Sequence, residues 1–243
     1  MAAAGAEFSD ALVAETAAAA AVELLPEGDD RQHEPDPGEL RRFLVACGGS
    51  SGKAGHVYAC SQQWRAEEGI DGLLEESGGT EAEAAIRRYL QYIDGLTDVE
   101  GRPAAVWRAG RVPVRAMLHE FGAEPVLRNH VYLKERALKA ARAAGHVTHV
   151  LIIDMFGMGL HTLDSEGLAT LQRGVHYEQK HYPETQHKII IVRAPWLFGA
   201  FWRIVNPWLS EGDRAKVCMI LCSVARRACA SVMAFIARMV GWL

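Results

Sequence analysis

Two short runs constrain this chain most: Val150-Leu151-Ile152-Ile153 and Ile189-Ile190-Ile191-Val192. Each is apolar and largely β-branched at every position, with no polar residue on alternate places. A strand with one wet face alternates; a run without alternation has both faces buried. Around them the pattern repeats. Ala104–Arg108, Val147–Met155, Lys188–Arg193 and Ala215–Leu221 read as strands, and Val114–Phe121, Pro125–Ala144 and Leu163–Tyr182 as helices. Strands separated by helices predict an α/β fold with a mostly parallel sheet and right-handed crossovers.

The 243 residues suffice for one large domain, or one medium domain with a smaller partner. Residues 1–36 hold nine acids (Glu7, Asp10, Glu15, Glu23, Glu27, Asp29, Asp30, Glu34, Asp36) against Arg31, hence −8. The whole chain carries −4, so the remainder carries −4 minus −8, or +4. That excess suits an anionic membrane surface or headgroup as well as it suits a plain solvated surface, and is too small to argue for nucleic acid. The leader contains an alanine run, Ala17–Ala21, and ends in Pro35, Pro37 and Gly38; residues 1–36 are expected to be flexible and without chemistry. Residues 37–93 read as a helical module, its third helix running from Thr80 to Ile93 behind a Thr80/Glu83 capping box. The main domain is expected over 94–222, followed by a basic amphipathic helix over 223–243.

Five cysteines with no CxxC pair, of which Cys218, Cys222 and Cys229 fall at helical spacing, point to reduced thiols in a cytosolic compartment. The N-terminus has no secretory pattern, and no apolar run reaches the roughly 20 residues of a spanning helix. Gly48-Gly49-Ser50-Ser51-Gly52-Lys53 imitates a phosphate loop, yet Cys47 stands where the first glycine belongs, Ala54 where Ser or Thr belongs, and no strand precedes it. It reads as a turn between helices. Gly157-Met158-Gly159 follows a strand but has Thr162 in place of a third glycine, so it reads as a tight turn rather than a dinucleotide loop. No G-x-S-x-G elbow is present, and the nearest histidine pairs, His146/His149 and His176/His181, lack a metal-binding context. Neither catalytic residues, a metal nor a resident cofactor is expected.

The segment Trp196–Leu209 holds five aromatic residues (Trp196, Phe198, Phe201, Trp202, Trp208) and one charge, Arg203. A helix built from it is apolar nearly all round, so it is either core or a surface that meets lipid. Gly199 loosens its interior and Asn206-Pro207 ends it, as a hinged lid requires. The order Tyr182-Pro183-Glu184, strand, Ala194-Pro195, aromatic helix, Asn206-Pro207-Trp208 and Lys216 resembles the CRAL-TRIO lipid-binding family. Glu100-Gly101-Arg102-Pro103, the turn into the Ala104–Arg108 strand, matches that family's Gly-Arg-Pro, and Leu40-Arg41-Arg42-Phe43-Leu44 with Trp64-Arg65 resembles the helical module ahead of its domain.

The resemblance implies a sheet flanked by helices that encloses a lipid cavity, with Trp196, Phe198, Phe201, Trp202, Ile204 and Val205 lining or gating the apolar end. It implies that Glu184 and Lys216 contact an inositol phosphate headgroup, where an ammonium on phosphate and a carboxylate on hydroxyls make charge-assisted bonds. A Glu–Lys ion pair that only fixes a loop is the alternative. Four positions depart from the family pattern: Asp213 replaces a Thr beside the Lys, Cys47 a basic residue, and His149 and Leu151 two small hydroxyls. The C-terminus also departs. Its Val232, Phe235, Ile236, Met239 and Leu243 face away from Arg227, Ser231 and Arg238, which suits either a membrane-surface helix or a packing helix; Phe235, Ile236 and Trp242, with Trp208, are the candidate membrane contacts.

The expected function is a monomeric, peripheral carrier that extracts, presents or exchanges a phospholipid, phosphatidylinositol among the candidates, or another hydrophobic molecule at cytosolic membranes. The rival is a membrane-recruited adaptor of the same fold with a degraded lipid site. An α/β enzyme has only topology in its favour.

Overall fold

A computed structural model describes residues 8–24, 35–76 and 81–220. The chain divides into two compact units: residues 1–73 with 177–185, and residues 74–176 with 186–243.

The first unit is built from α1 (Asp10–Leu24), α2 (Pro37–Ala46), α3 (Ser51–Glu67) and the end of a later helix. Val13, Ala20, Leu40, Phe43, Leu44, Ala54 and Tyr58 form its core. Where the sequence suggests a flexible leader, α1 is a packed helix. Its alanines supply the reason: a Cβ on Gly55 of α3 would lie 2.7 Å from that of Ala19 and 2.9 Å from the backbone nitrogen of Ala20. Small residues on both helices let the backbones approach closely, and no large apolar stripe is needed. Residues 48–49 turn with positive φ between α2 and α3, and Ser50 precedes α3, so the glycine-rich stretch is the inter-helix turn its flanks imply. Against α3 lies the last turn of the later helix: His181 stacks on Trp64 with centroids 3.9 Å apart, and its Nδ1 lies 3.3 Å from the Ser61 hydroxyl. These contacts draw residues 177–185 into the first unit, which the expected boundary at 93/94 does not anticipate.

The second unit carries α4 (Leu73–Glu76) from its second residue onward, then α5 (Glu81–Leu90), β1 (Tyr92–Thr97), β2 (Pro103–Trp107), α6 (Val114–Phe121), α7 (Ala123–Ala143) and β3 (His149–Asp154). There follow α8 (Ser165–His181), whose last turn enters the first unit, β4 (Gln186–Val192), α9 (Phe198–Val205), α10 (Glu211–Lys216) and β5 (Val217–Ile220). The sheet runs β1-β2-β3-β4-β5, with β1 antiparallel to β2 and the other pairs parallel. The α/β class and the parallel sheet are as the sequence predicts. The third helix, however, ends at Leu90 rather than Ile93. Gln91 turns with φ 49°, and Tyr92–Thr97 become an edge strand with an irregularity between Ile93 and Leu96. Thr80 of the expected capping box lies outside the described residues.

The register gives the sheet two apolar faces. Ala104, Val150, Ile152, Ile190 and Val192 share one face and are all buried. Leu151, Ile153, Ile189, Ile191, Val217 and Met219 share the other, and of these only Ile191 is fully buried. The sequence predicts both faces buried. The first is buried at its centre and exposed at Lys188 and Cys218; the second is apolar but incompletely covered.

Candidate functional site

The incompletely covered face lies beneath α9. Met155, Met158, Ile191 and Phe198 form a small buried cluster there, with Ile153, Ile189, Phe201, Trp202, Val217 and Met219 packed around it and only partly buried. Phe198 is the anchor: it is 4% exposed, and its ring lies 5.8 Å from that of Phe201 and 5.9 Å from that of Trp202. The helix itself starts because Pro195 ends the preceding extended segment and its carbonyl accepts from the N–H of Phe198 at 2.9 Å. It stops at Asn206-Pro207-Trp208, which form a single 3-10 turn. A Cβ on Gly199 would meet nothing within 4 Å, so that glycine answers no packing demand.

The expected lining residues separate. Phe198 and Val205 are buried, Phe201 and Trp202 partly so, while Ile204 is 40% exposed. Trp196 precedes the helix and is 91% exposed. Trp208 is half-buried in the closing turn. Phe235, Ile236 and Trp242 lie outside the described residues.

Of the headgroup candidates, Glu184 belongs to the first unit and Lys216 to the second. Glu184 sits in the turn after α8 with φ 57°, a left-handed conformation uncommon for a residue with a side chain, and is half-buried behind buried Tyr182 and Pro183. Lys216 is the last residue of α10 rather than the first of β5, and it too is half-buried. Asp213, which stands where the family pattern has a Thr, is committed to the start of α10. Its N–H donates to the Ser210 hydroxyl at 3.0 Å, and its Oδ2 accepts from that hydroxyl at 2.7 Å. His149 and Leu151 differ: the imidazole is buried and the leucine is half-buried on the open face.

The sequence reading misses the frame that holds this site. Asp154, at the end of β3, is 4% exposed and pairs with Arg193, whose Nε donates to Oδ1 at 2.8 Å. Arg193 also turns the chain after β4 with φ 55°. The ion pair thereby fixes where the lead into α9 leaves the sheet. An acid ending one parallel strand and a base just past the end of its neighbour is the signal that could reveal it. Gly110 belongs to the same frame, because a Cβ there would collide with the carbonyl of Met155. Gly157, with φ 92°, makes the tight turn that the Gly-Met-Gly motif suggests. Among the described residues no helix is long and apolar enough to cross a membrane, and no group of three or more His, Cys, Asp or Glu side chains could hold a metal.

The model of the CRAL/TRIO domain matches residues 86–222, more than half of the chain. This chain belongs to the CRAL/TRIO domain family. It is 30% identical to Protein real-time of Anopheles gambiae over 195 residues, covering 78% of this chain and 28% of that protein. It is 28% identical over 189 residues to Sec14 cytosolic factor of Schizosaccharomyces pombe, covering 75% and 65%. To the phosphatidylinositol/phosphatidylcholine transfer protein SFH7 of Arabidopsis thaliana it is 27% identical over 202 residues, covering 80% and 36%. The match thus spans less than a third of the length of the insect relatives. The crystal structure of Sfh5 superposes with a TM-score of 0.64 over 86% of this chain and 75% of that one, at 15% identity, which establishes a shared fold.

Proposed function

We propose that the protein is a lipid carrier: it holds a phospholipid or another hydrophobic molecule between the open face of its sheet and α9. It extracts, presents or exchanges that molecule at cytosolic membrane surfaces as a peripheral monomer, without covalent chemistry or a resident cofactor or metal. One observation carries this reading. Leu151, Ile153 and Ile189 stand on the inner strands β3 and β4 and are only partly buried, although Val150, Ile152 and Ile190 on the opposite face are buried. Apolar side chains in the middle of a sheet gain about 25 cal/mol for each Å² withdrawn from water, so an acyl chain laid across them finishes a core that the protein leaves unfinished. The ligand gains as well, at about 0.8 kcal/mol per methylene, so a cavity must match the bilayer before a lipid leaves it. The names of the plant relatives, phosphatidylinositol/phosphatidylcholine transfer proteins, support the same class of ligand.

Glu184 and Lys216 are proposed as the polar end, with phosphatidylinositol as the ligand. The test is native mass spectrometry of protein purified from a eukaryotic host, with identification of the retained lipid. A vesicle-to-vesicle exchange assay of the Glu184→Ala/Lys216→Ala variant follows. Loss of phosphoinositide exchange with an unchanged fold supports the assignment, and unchanged exchange refutes it. The rival, an adaptor with a degraded site, is favoured by the departures at Cys47, His149, Leu151 and Asp213. It predicts protein that never carries lipid.

A further inference from the structure

Three consecutive parallel strands, β2, β3 and β4, end at one edge of the sheet, and the loops that leave that edge expose large apolar side chains. After β3 come Phe156, 50% exposed, and Leu160, 76% exposed; after β4 comes Trp196, 91% exposed. A soluble surface tolerates scattered apolar residues, but an aromatic pair and a leucine gathered on neighbouring loops make a patch. The patch has a cationic border. The Phe156 ring meets two guanidinium groups, that of Arg111 from the loop after β2 at 5.0 Å and that of Arg193 at 4.7 Å from the ring centroid. The two arginines differ. Arg193 is held by buried Asp154, whereas Arg111, whose guanidinium lies over the ring, is exposed. The other acid of these loops whose contact is fixed, Asp164, is partly buried and accepts from the N–H of Gly167 in the first turn of α8 at 3.0 Å.

We propose that this edge is the surface by which the protein docks on a phospholipid bilayer: Trp196, Leu160 and Phe156 enter the interfacial layer and Arg111 meets lipid phosphate. The chemistry fits one partner. Trp and Phe favour the zone where one end of a side chain is dry and the other wet, and an arginine flattened on a ring keeps its N–H groups free at the rim for phosphate oxygens. Position fits as well, because Trp196 leads into α9, so docking this edge sets the lid against the membrane. The inference rests on the carrier reading for its purpose, but its evidence is separate.

The test is sedimentation of the full chain with vesicles of phosphatidylcholine, with and without phosphatidylserine. Each side chain withdrawn from the interface should weaken partitioning about tenfold, so Leu160→Ser/Trp196→Ser should lose about a hundredfold. Both sites are exposed, so the variant should melt like the wild type. Arg111→Gln should lose binding on both kinds of vesicle, because both lipids carry the phosphate; wild-type binding by that variant, or a loss confined to the phosphatidylserine vesicles, removes phosphate recognition from the proposal. Val99→Ser/Val147→Ser alters two exposed residues in turns at the opposite edge, 73% and 53% exposed, and should bind as the wild type does. Wild-type binding by the Leu160/Trp196 variant, or an equal loss in the Val99/Val147 control, overturns the docking edge. Retained lipid is measured on the same preparations by native mass spectrometry. Vesicle binding without any retained lipid would instead sink the carrier reading and leave the docking edge standing.

Discussion

Gly199→Ala isolates the lid role proposed for α9. The glycine lies within α9, is exposed, and faces open space, with no atom within 4 Å of the Cβ that alanine would add. The substitution therefore brings no clash and no new contact, and its whole effect is on the backbone. Alanine favours a helix interior over glycine by about 1 kcal/mol, partly by restricting the unfolded chain. A melting temperature raised by about 2–4 °C is expected for a unit of this size. If the lid must loosen at Gly199 to pass a lipid, the same 1 kcal/mol works against opening and slows exchange about fivefold at 25 °C. Exchange of a fluorescent phospholipid between donor and acceptor vesicles measures the rate, and calorimetry the stability. A raised melting temperature with unchanged or faster exchange refutes the reasoning, because α9 would then move as a rigid rod.

Phe198→Ala removes the anchor of the same helix; its burial predicts a loss of about 3–5 kcal/mol in urea unfolding, and a loss below about 1 kcal/mol would show that α9 is not part of the core. In the first unit, burial beside Trp64, with Lys180 and Arg65 nearby, pushes the pKa of His181 down from 6.5 to about 4. The unfolded chain takes up this proton below 6.5 while the folded chain stays neutral to about 4. Stability from His181 is thus complete above 6.5 and lost as pH falls toward 4, by at most about 3 kcal/mol. Urea midpoints of the wild type and His181→Phe should diverge across that window, and parallel profiles would contradict the assignment.

The central strands and the aromatic helix are legible in the sequence because their signals are local. Val150–Ile153 and Ile189–Val192 need no partner to declare that both of their faces avoid water, and a segment with Arg203 as its one charge declares itself at once. What escapes is fixed at long range or by small residues. β1 hides because Asp94-Gly95 reads as a turn and the irregularity before Leu96 breaks its alternation. The α1–α3 contact hides because alanine against glycine leaves no stripe to count. The Asp154–Arg193 pair joins residues 39 apart in sequence, and only the β3–β4 register brings them together.

A deeper limit concerns the open face itself. Periodicity records which side chains avoid water, not what keeps water away, so a ligand-covered face and a protein-covered face give the same run of isoleucines. Ile152 and Ile153 differ by one position, and only coordinates distinguish them: Ile152 is 3% exposed on the closed face, Ile153 only partly buried on the open one. Truncation should separate structure from function at this pair. Ile152→Ala should cost about 2–5 kcal/mol in urea unfolding of delipidated protein, the usual cost of emptying a packed core site. Ile153→Ala removes the same carbons from a side chain that is only partly buried, so it should cost about 1 kcal/mol while, on the carrier reading, lowering the fraction of protein that retains lipid. Equal losses of stability, with lipid occupancy unchanged in both variants, would mean that the two faces are one continuous core and that no space for an acyl chain lies between sheet and lid.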